Sequence, residues 1–385
     1  MAIILWITFF FSFGITCTET SKSNAILQQP ITRVISDIRI VSDIAFITKT
    51  IRESHPGAVN QDDPKFVAAL QSAKEKAIKE IVYINADGKH KQVVQAFVQA
   101  FNDRHMYITW NAQAQTQLQP MPCSVKVIND VPWITIPTFF STKETQQAFN
   151  DLIKQLPAMH AKRSIVFDVR GNGGGDSSWG TRIIEALFSQ LLAQPRITAL
   201  HQQEQVEWRV SEDNAAHVAL LLEQIQNQSS GRSPVIQLLK RLFHDMQQAL
   251  ATGQDFVTEP TLQQCDDKVC ADGPFVVSPT KILVLIDKGC GSAALDFLDE
   301  LKSVCPNMIL IGQETSADTD YMEVRSVPLP SGLGNFTFPM KVYRNRQRKS
   351  GETYVPDYVY VGDMHGKDFQ DFVLCIMNPI IQTTS

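Results

Sequence analysis

The chain has 385 residues, 44% of them hydrophobic, which is enough for one large or two moderate domains and carries no compositional bias toward disorder. Its 35 Lys and Arg stand against 40 Asp and Glu, a net charge of -5 spread without long runs, and this excludes a dominant surface for nucleic acid or anionic membrane. Neither CxxC nor HExxH occurs and the eight histidines are dispersed, so no metal site of recognisable spacing is present.

In chain order, AIILWITFFFSFGITCT is an apolar run followed by the polar ETSKSN, which reads as a secretory signal over residues 1–18, an uncleaved anchor being the competing reading. Residues 25–112 read as a small helical lobe. Val41–Ser54, Pro64–Ile81 and His90–Asn102 carry apolar residues three and four apart, as in Phe66, Val67, Leu70 and Ala73. His55 and Pro56 end the first of these helices, because the residue before a proline avoids the α conformation. The third helix runs into Asn102, Asp103, Arg104 and His105, just before the β-like YITW. A neutral imidazole there is a candidate general base, and a surface or capping histidine is the bland alternative.

Residues 113–385 read as an α/β domain. Val125–Ile136 is strand-like and Glu144–Leu156 is helical; Ile165, Val166, Phe167 and Val169 then form an interior strand. Gly171, Gly173, Gly174 and Gly175 follow, with Asp176 and Ser177 placed to cap a helix that carries Ile183, Ile184, Leu187 and Phe188. A strand, a glycine turn and a helix start together stabilise negative charge, whether a phosphate or a reaction oxyanion. Gln194 to Gln264 is polar and glutamine-rich, and with its flanks makes a helical insertion at about 194–275, either a lid or a surface elaboration.

Lys281–Asp287, KILVLID, is a second buried strand. It leads through Lys288, Gly289, Cys290, Gly291 and Ser292 into a helix bearing Ala293, Ala294, Phe297, Leu298 and Leu301. Ser292 is therefore a helix N-cap or a nucleophile beside oxyanion-holding N–H groups, and the absence of G-x-S-x-G disfavours an α/β-hydrolase elbow. Met308–Gly312 is a third strand with the polar exit Gln313–Asp318. Two β segments, Asn335–Tyr343 and Tyr354–Val361, flank a turn that places Glu352 at a sheet rim, where a solvated carboxylate is the default; Arg344, Arg346, Arg348 and Lys349 read as a solvated hairpin face. Loss of Cys17 with the signal leaves Cys123, Cys265, Cys270, Cys290, Cys305 and Cys375. Only Cys265 and Cys270 are close enough in sequence to propose as a local disulfide, and free thiols are the alternative.

These pieces resemble the tail-specific, or C-terminal processing, peptidases, together with the tricorn core protease and the retinoid-binding-protein modules. The carriers are DVRGNGGG (Asp168–Gly175), GSAALDFLDELK (Gly291–Lys302), IGQET (Ile311–Thr315), ESHPG (Glu53–Gly57), FNDRH (Phe101–His105) and VPD (Val355–Asp357). The resemblance implies a β-α spiral like that of ClpP and crotonase, with a helical N-terminal lobe. It further implies a serine peptidase acting on peptides or proteins, and together with the N-terminal signal segment the chain reads as an exported enzyme, periplasmic or secreted, working without cofactor. Ser292 corresponds to the nucleophile, and the N–H groups of Ala293 and of Gly173 or Gly174 to the oxyanion hole. Asp318 stands where serine–lysine branches carry lysine, so His105 would be the base and a carboxylate such as Glu352 would orient it. Leu295 stands where relatives often have glutamate, Arg104 replaces a small residue, and Cys290 is an unusual neighbour of the serine. About 17 residues separate His105 from Cys123, too few for a PDZ domain. The rival reading is a catalytically inactive module of the same fold that binds an apolar ligand or a protein partner.

Overall fold

The computed structural model describes residues 28–81, 88–111, 120–228, 234–260 and 281–377. The expected signal segment, Cys17, Cys265 and Cys270 lie outside them. Among the described residues no helix is long and apolar enough to cross a membrane, and the four described cysteines are free thiols.

Three helices open the chain: α1 (Gln28–Ser54), α2 (Pro64–Ile81) and α3 (Gly88–Gln99). Strands β1 (Tyr107–Trp110), β2 (Ser124–Ile128) and β3 (Val131–Thr135) follow, then α4 (Lys143–Met159), started by a capping box between Thr142 and Thr145. Next come β4 (Ser164–Asp168), α5 (Ser178–Phe188), α6 (Gln190–Leu200), β5 (Gln205–Arg209), α7 (Glu212–Gln228), α8 (Pro234–Thr252) and β6 (Phe256–Thr258). The last third holds β7 (Lys281–Ile286), α9 (Ala293–Val304), β8 (Ile309–Gly312), β9 (Tyr321–Pro328), β10 (Gly334–Arg344), β11 (Tyr358–Val359) and α10 (Lys367–Met377).

Two sheets organise these elements. In the first, the spatial order β2-β3-β4-β7-β8-β11 follows chain order, all neighbours pairing in parallel except the β2–β3 hairpin. Strands added always on the same side, with helices between, make the α/β spiral. The continuous apolar runs of β4 and β7 are explained by this position, since both faces of a parallel sheet are covered. Ile165, Phe167, Ile282 and Val284 pack with α4, α5, α6 and α9, while Val166, Leu283 and Leu285 pack with Phe369 and Val373 of α10.

The second sheet is antiparallel. Its long strand β10 pairs with β1, β5 and β9, and β6 pairs with β5. Helices α1–α3 are packed on this sheet through Ile44, Phe66, Val94 and Phe97 against Tyr321, Phe336 and Phe338. The stretch read as an insertion supplies β5 and β6 to the same sheet, with α7 and α8 packed on Trp208, Met322 and Met340. Strand β9 escaped sequence reading because charged residues interrupt it. Glu323 of β9 and Lys341 of β10 are buried, Lys341 Nζ lying 3.4 Å from both Glu323 and Glu259. The expected strand Tyr354–Val361 shortens to the two residues of β11, and α10 was not anticipated.

Candidate active site

The site is assembled where β4 and β7 end, on the carboxyl edge of the parallel sheet, the place at which open α/β sheets bind ligands. Asn172, fully buried, ties three segments together. Its Nδ2 donates to Ile136 O (2.9 Å), its Oδ1 accepts the Gly174 N–H (2.9 Å), and its carbonyl accepts the Gly291 N–H (3.1 Å). Asp287 does the same from the β7 side, its Oδ1 accepting Gly171 N–H at 2.8 Å and Gly289 N–H at 2.9 Å. The two glycine-containing turns are thus cross-braced by two side chains.

Glycine is required where the turns meet. Gly174 has φ +106°, and a Cβ there would lie 2.6 Å from Ser292 Cβ, 3.0 Å from Ser292 Oγ and 3.0 Å from Ala293 N. Ser292 stands at the N-cap of α9 with φ 54° and ψ -128°, yet its hydroxyl makes no capping bond. A β-carbon residue in the left-handed region, released from the cap duty its position suggests, is a strained side chain with another role. Ala293 begins α9, where first-turn N–H groups lack partners within the helix and the macrodipole is positive. Of the two glycines considered for the oxyanion hole, the N–H of Gly174 is taken by Asn172 Oδ1. No acceptor among the described residues holds the N–H of Gly173, so Gly173 is the one available.

His105 reaches this edge from the turn after α3. The turn is folded by Asn102 at φ 50° and by Asp103, whose Oδ1 accepts the His105 backbone N–H at 2.8 Å. The imidazole is buried, with Nδ1 3.5 Å from Asp103 Oδ1 and Nε2 3.9 Å from Asp318 Oδ1. Burial by itself would push the imidazolium down. The Asp103 carboxylate beside Nδ1 and the charge of Asp318 outweigh it, and the His105 pKa is raised above 6.5. Asp318 is carried by the exit of β8, a segment pinned to the serine turn by Ser316 N–H donating to Cys290 O at 3.1 Å.

This geometry can be compared with known proteins. Residues 130–360, well over half of the chain, match the sequence profile of peptidase family S41. The chain belongs to peptidase family S41. Its fold is similar to that of mature CPAF complexed with lactacystin, at TM-score 0.58 and 10% identity over 90% of this chain and 99% of that one. Further similar structures are a lipoprotein from Streptococcus agalactiae (TM-score 0.43, 13% identity, 88% and 96% covered) and the photosystem II D1 C-terminal processing protease (0.36, 11%, 87% and 95%). No curated protein sequence matches the chain significantly.

In this S41 chain the other expected residues are placed as follows. Glu352 is not brought to His105: its carboxylate is exposed and accepts the Lys349 N–H at 2.8 Å, closing its own turn. It lines a cavity of about 820 Å³ with Asp299, Arg348 and Tyr354, behind α9. The carboxylates set against the imidazole are Asp103 and Asp318; the sequence marked Asp318 only as standing in place of a lysine, and its approach to His105, 213 positions away, is a product of the fold. The expected solvated face of basic residues is also corrected. The side chains of Arg346 and Arg348 are buried against Asp296 and Asp299 of α9, and Arg348 Nη1 lies 3.6 Å from Asp318. Cys290 is a structural thiol, its Sγ donating to Val169 O at 3.0 Å, and burial pushes its pKa up to about 12. Leu295 is fully buried in the core under α9. His55 is structural as well: it stacks on Phe66 at 4.4 Å, its Nδ1 accepts the Gly57 N–H, and burial lowers its pKa to about 3.

Proposed function

We propose that the chain is a serine peptidase in which Ser292 is the nucleophile and His105 the general base. The supporting observation is the convergence at Gly174, where a single β-carbon would collide with both the Ser292 side chain and the Ala293 nitrogen. Ser292 Oγ attacks the scissile carbonyl carbon as its proton passes to His105. The oxyanion forms against the N–H groups of Ala293 and Gly173. Collapse expels the amine, which leaves with the proton held by His105, and an acyl-enzyme remains on Ser292. Water, deprotonated by His105, then hydrolyses the ester and frees the serine. Asp103 and Asp318 hold the imidazole and stabilise its cationic form, the part that sequence reading gave to Glu352. The apolar segment of residues 1–18 supports export of the enzyme.

The test is covalent labelling of the purified protein by a fluorophosphonate probe. Wild type is expected to label, and Ser292→Ala and His105→Ala to lose labelling. A folded wild type that does not label would overturn the reading and favour the non-catalytic binding module.

A further inference from the structure

Arg104 lies between two buried residues, Asp103 and His105, but is itself exposed. Its guanidinium crosses to the serine turn. Nη1 is 3.4 Å from Cys290 O, and a β-carbon on Gly291 would fall 2.6 Å from Nη1 and 3.1 Å from Cζ. Consecutive Cα atoms are about 3.8 Å apart, so this charge rests on the residue next to Ser292 in the turn.

The guanidinium is also uncompensated. Among the described residues no carboxylate forms an ion pair with Arg104, whereas Arg170, Arg209, Arg325, Arg344, Arg346 and Arg348 each have one. Of the nearby carboxylates, Asp287 is committed to Gly171 and Gly289 and Asp318 to the imidazole and Arg348, while Asp103 is buried, with Oδ1 accepting the His105 N–H and Oδ2 without a hydrogen-bond partner among the described residues, and makes no ion pair with the exposed Arg104. One long bond to a carbonyl leaves most of the five guanidinium donors open. A planar, permanently charged fork beside a reacting centre matches a carboxylate.

We propose that Arg104 is a specificity-determining residue that binds a side-chain carboxylate of the peptide substrate, favouring peptides with an acidic residue next to the bond cleaved. The proposal rests on Ser292 being the reacting centre. A neutral, apolar substrate would leave the guanidinium with its solvent partners, so the discrimination is between substrates rather than a gain common to all of them.

The test separates the proposal from the reading it rests on by measuring binding without turnover. Three fluorescent peptides of one length and otherwise neutral sequence are titrated into Ser292→Ala by anisotropy. One is neutral and C-terminally amidated, one carries a central glutamate and is amidated, and one is neutral with a free carboxylate. The glutamate peptide is expected to bind about five- to tenfold more tightly than the neutral one, and a preference for the free-acid peptide alone overturns the proposal. Arg104→Ala in the Ser292→Ala background should bring the ratio to about one, Arg104→Lys should keep part of it, and Arg104→Glu should invert it. Equal affinities for all three peptides, including no measurable binding of any, overturn the proposal, as does a preference that survives Arg104→Ala. So does a change in the pH profile common to all substrates with unchanged discrimination, which would mean that Arg104 acts only through His105. Fluorophosphonate labelling of Ser292 reports separately on the catalytic reading.

Discussion

At His105 two buried carboxylates flank one imidazole, and the consequence is a pH dependence of defined sign. A base must be neutral to accept the serine proton, and the His105 pKa is raised above 6.5. The acidic limb of kcat/KM is therefore expected above pH 6.5, with activity rising as pH passes through the raised value. Asp318→Asn removes one of the raising charges and should move that limb to lower pH, measured with one neutral peptide substrate. The same shift carries a stability contribution of opposite direction. Because the folded pKa is the higher, the stabilisation is fully present below pH 6.5 and is lost as pH rises through the folded value. Chemical denaturation of Asp318→Asn should show less of this pH dependence than wild type. A flat difference between the two proteins across this range would show that Asp318 does not act on the imidazole.

The decisive element is the turn between β4 and α5, and its glycines are not equivalent. Gly175 has φ +135°, and a β-carbon there would lie 2.2 Å from the carbonyl carbon of Phe139, the residue whose backbone also bonds Gly174 and Asp176. Gly175→Ala is expected to cost more than about 3 kcal/mol, since backbone on both sides must move. Gly171 also has positive φ, +73°, but a β-carbon there meets nothing within 4 Å. Gly171→Ala should cost only the conformational term, about 1–2 kcal/mol. Urea denaturation of the pair checks this, and equal costs would mean that the turn is not held rigidly against Phe139. The helix after the turn is capped by Asp176, whose Oδ1 accepts the Ser178 N–H at 3.0 Å, and not by Ser177, which makes no side-chain cap bond.

Across the whole molecule, the parallel spiral and the antiparallel sheet must be held in register for His105, which leads into β1, to reach Ser292, which follows β7. The buried ion cluster of Arg346, Arg348, Asp296 and Asp299 joins the segment after β10 to helix α9. Tyr354 adds a 2.6 Å bond to Asp299, and Asp357 of the VPD motif accepts the Leu310 N–H at 2.7 Å. Burial raises the Asp299 pKa in spite of the adjacent guanidinium groups, so these carboxylates depend on their partners. Arg348→Ala should destabilise the protein by about 3–5 kcal/mol, because it strands buried carboxylates. A loss below about 1 kcal/mol by urea denaturation would show that the cluster does not join the two parts.

Much of this protein could be read from local pattern. The continuous apolar runs of β4 and β7 required a covered parallel sheet, the glycines after β4 pointed to a turn of positive φ, which Gly171, Gly174 and Gly175 adopt, and the Ser-Ala start of α9 marked a helix N-terminus. These are short-range constraints, in which neighbours in sequence decide conformation. What lay beyond the sequence were pairings over long separations. Strand β9 was hidden because buried Glu323 and Lys341 look solvated until each is seen beside the other. Arg346 and Arg348 looked exposed until α9 supplied their carboxylates. One local bond, Asn172 Oδ1 to the Gly174 N–H, also escaped the pattern and leaves the Gly173 N–H open, while the approach of Asp318 to His105 comes from the packing of the β8 exit against the serine turn. The sequence by itself marked most of the elements, because short-range pattern decides them, and its motifs named a candidate nucleophile, base and oxyanion donors through their resemblance to a known family. Only the tertiary structure decided which charges are buried together, because burial and partnership of a charge depend on residues that separate elements bring together.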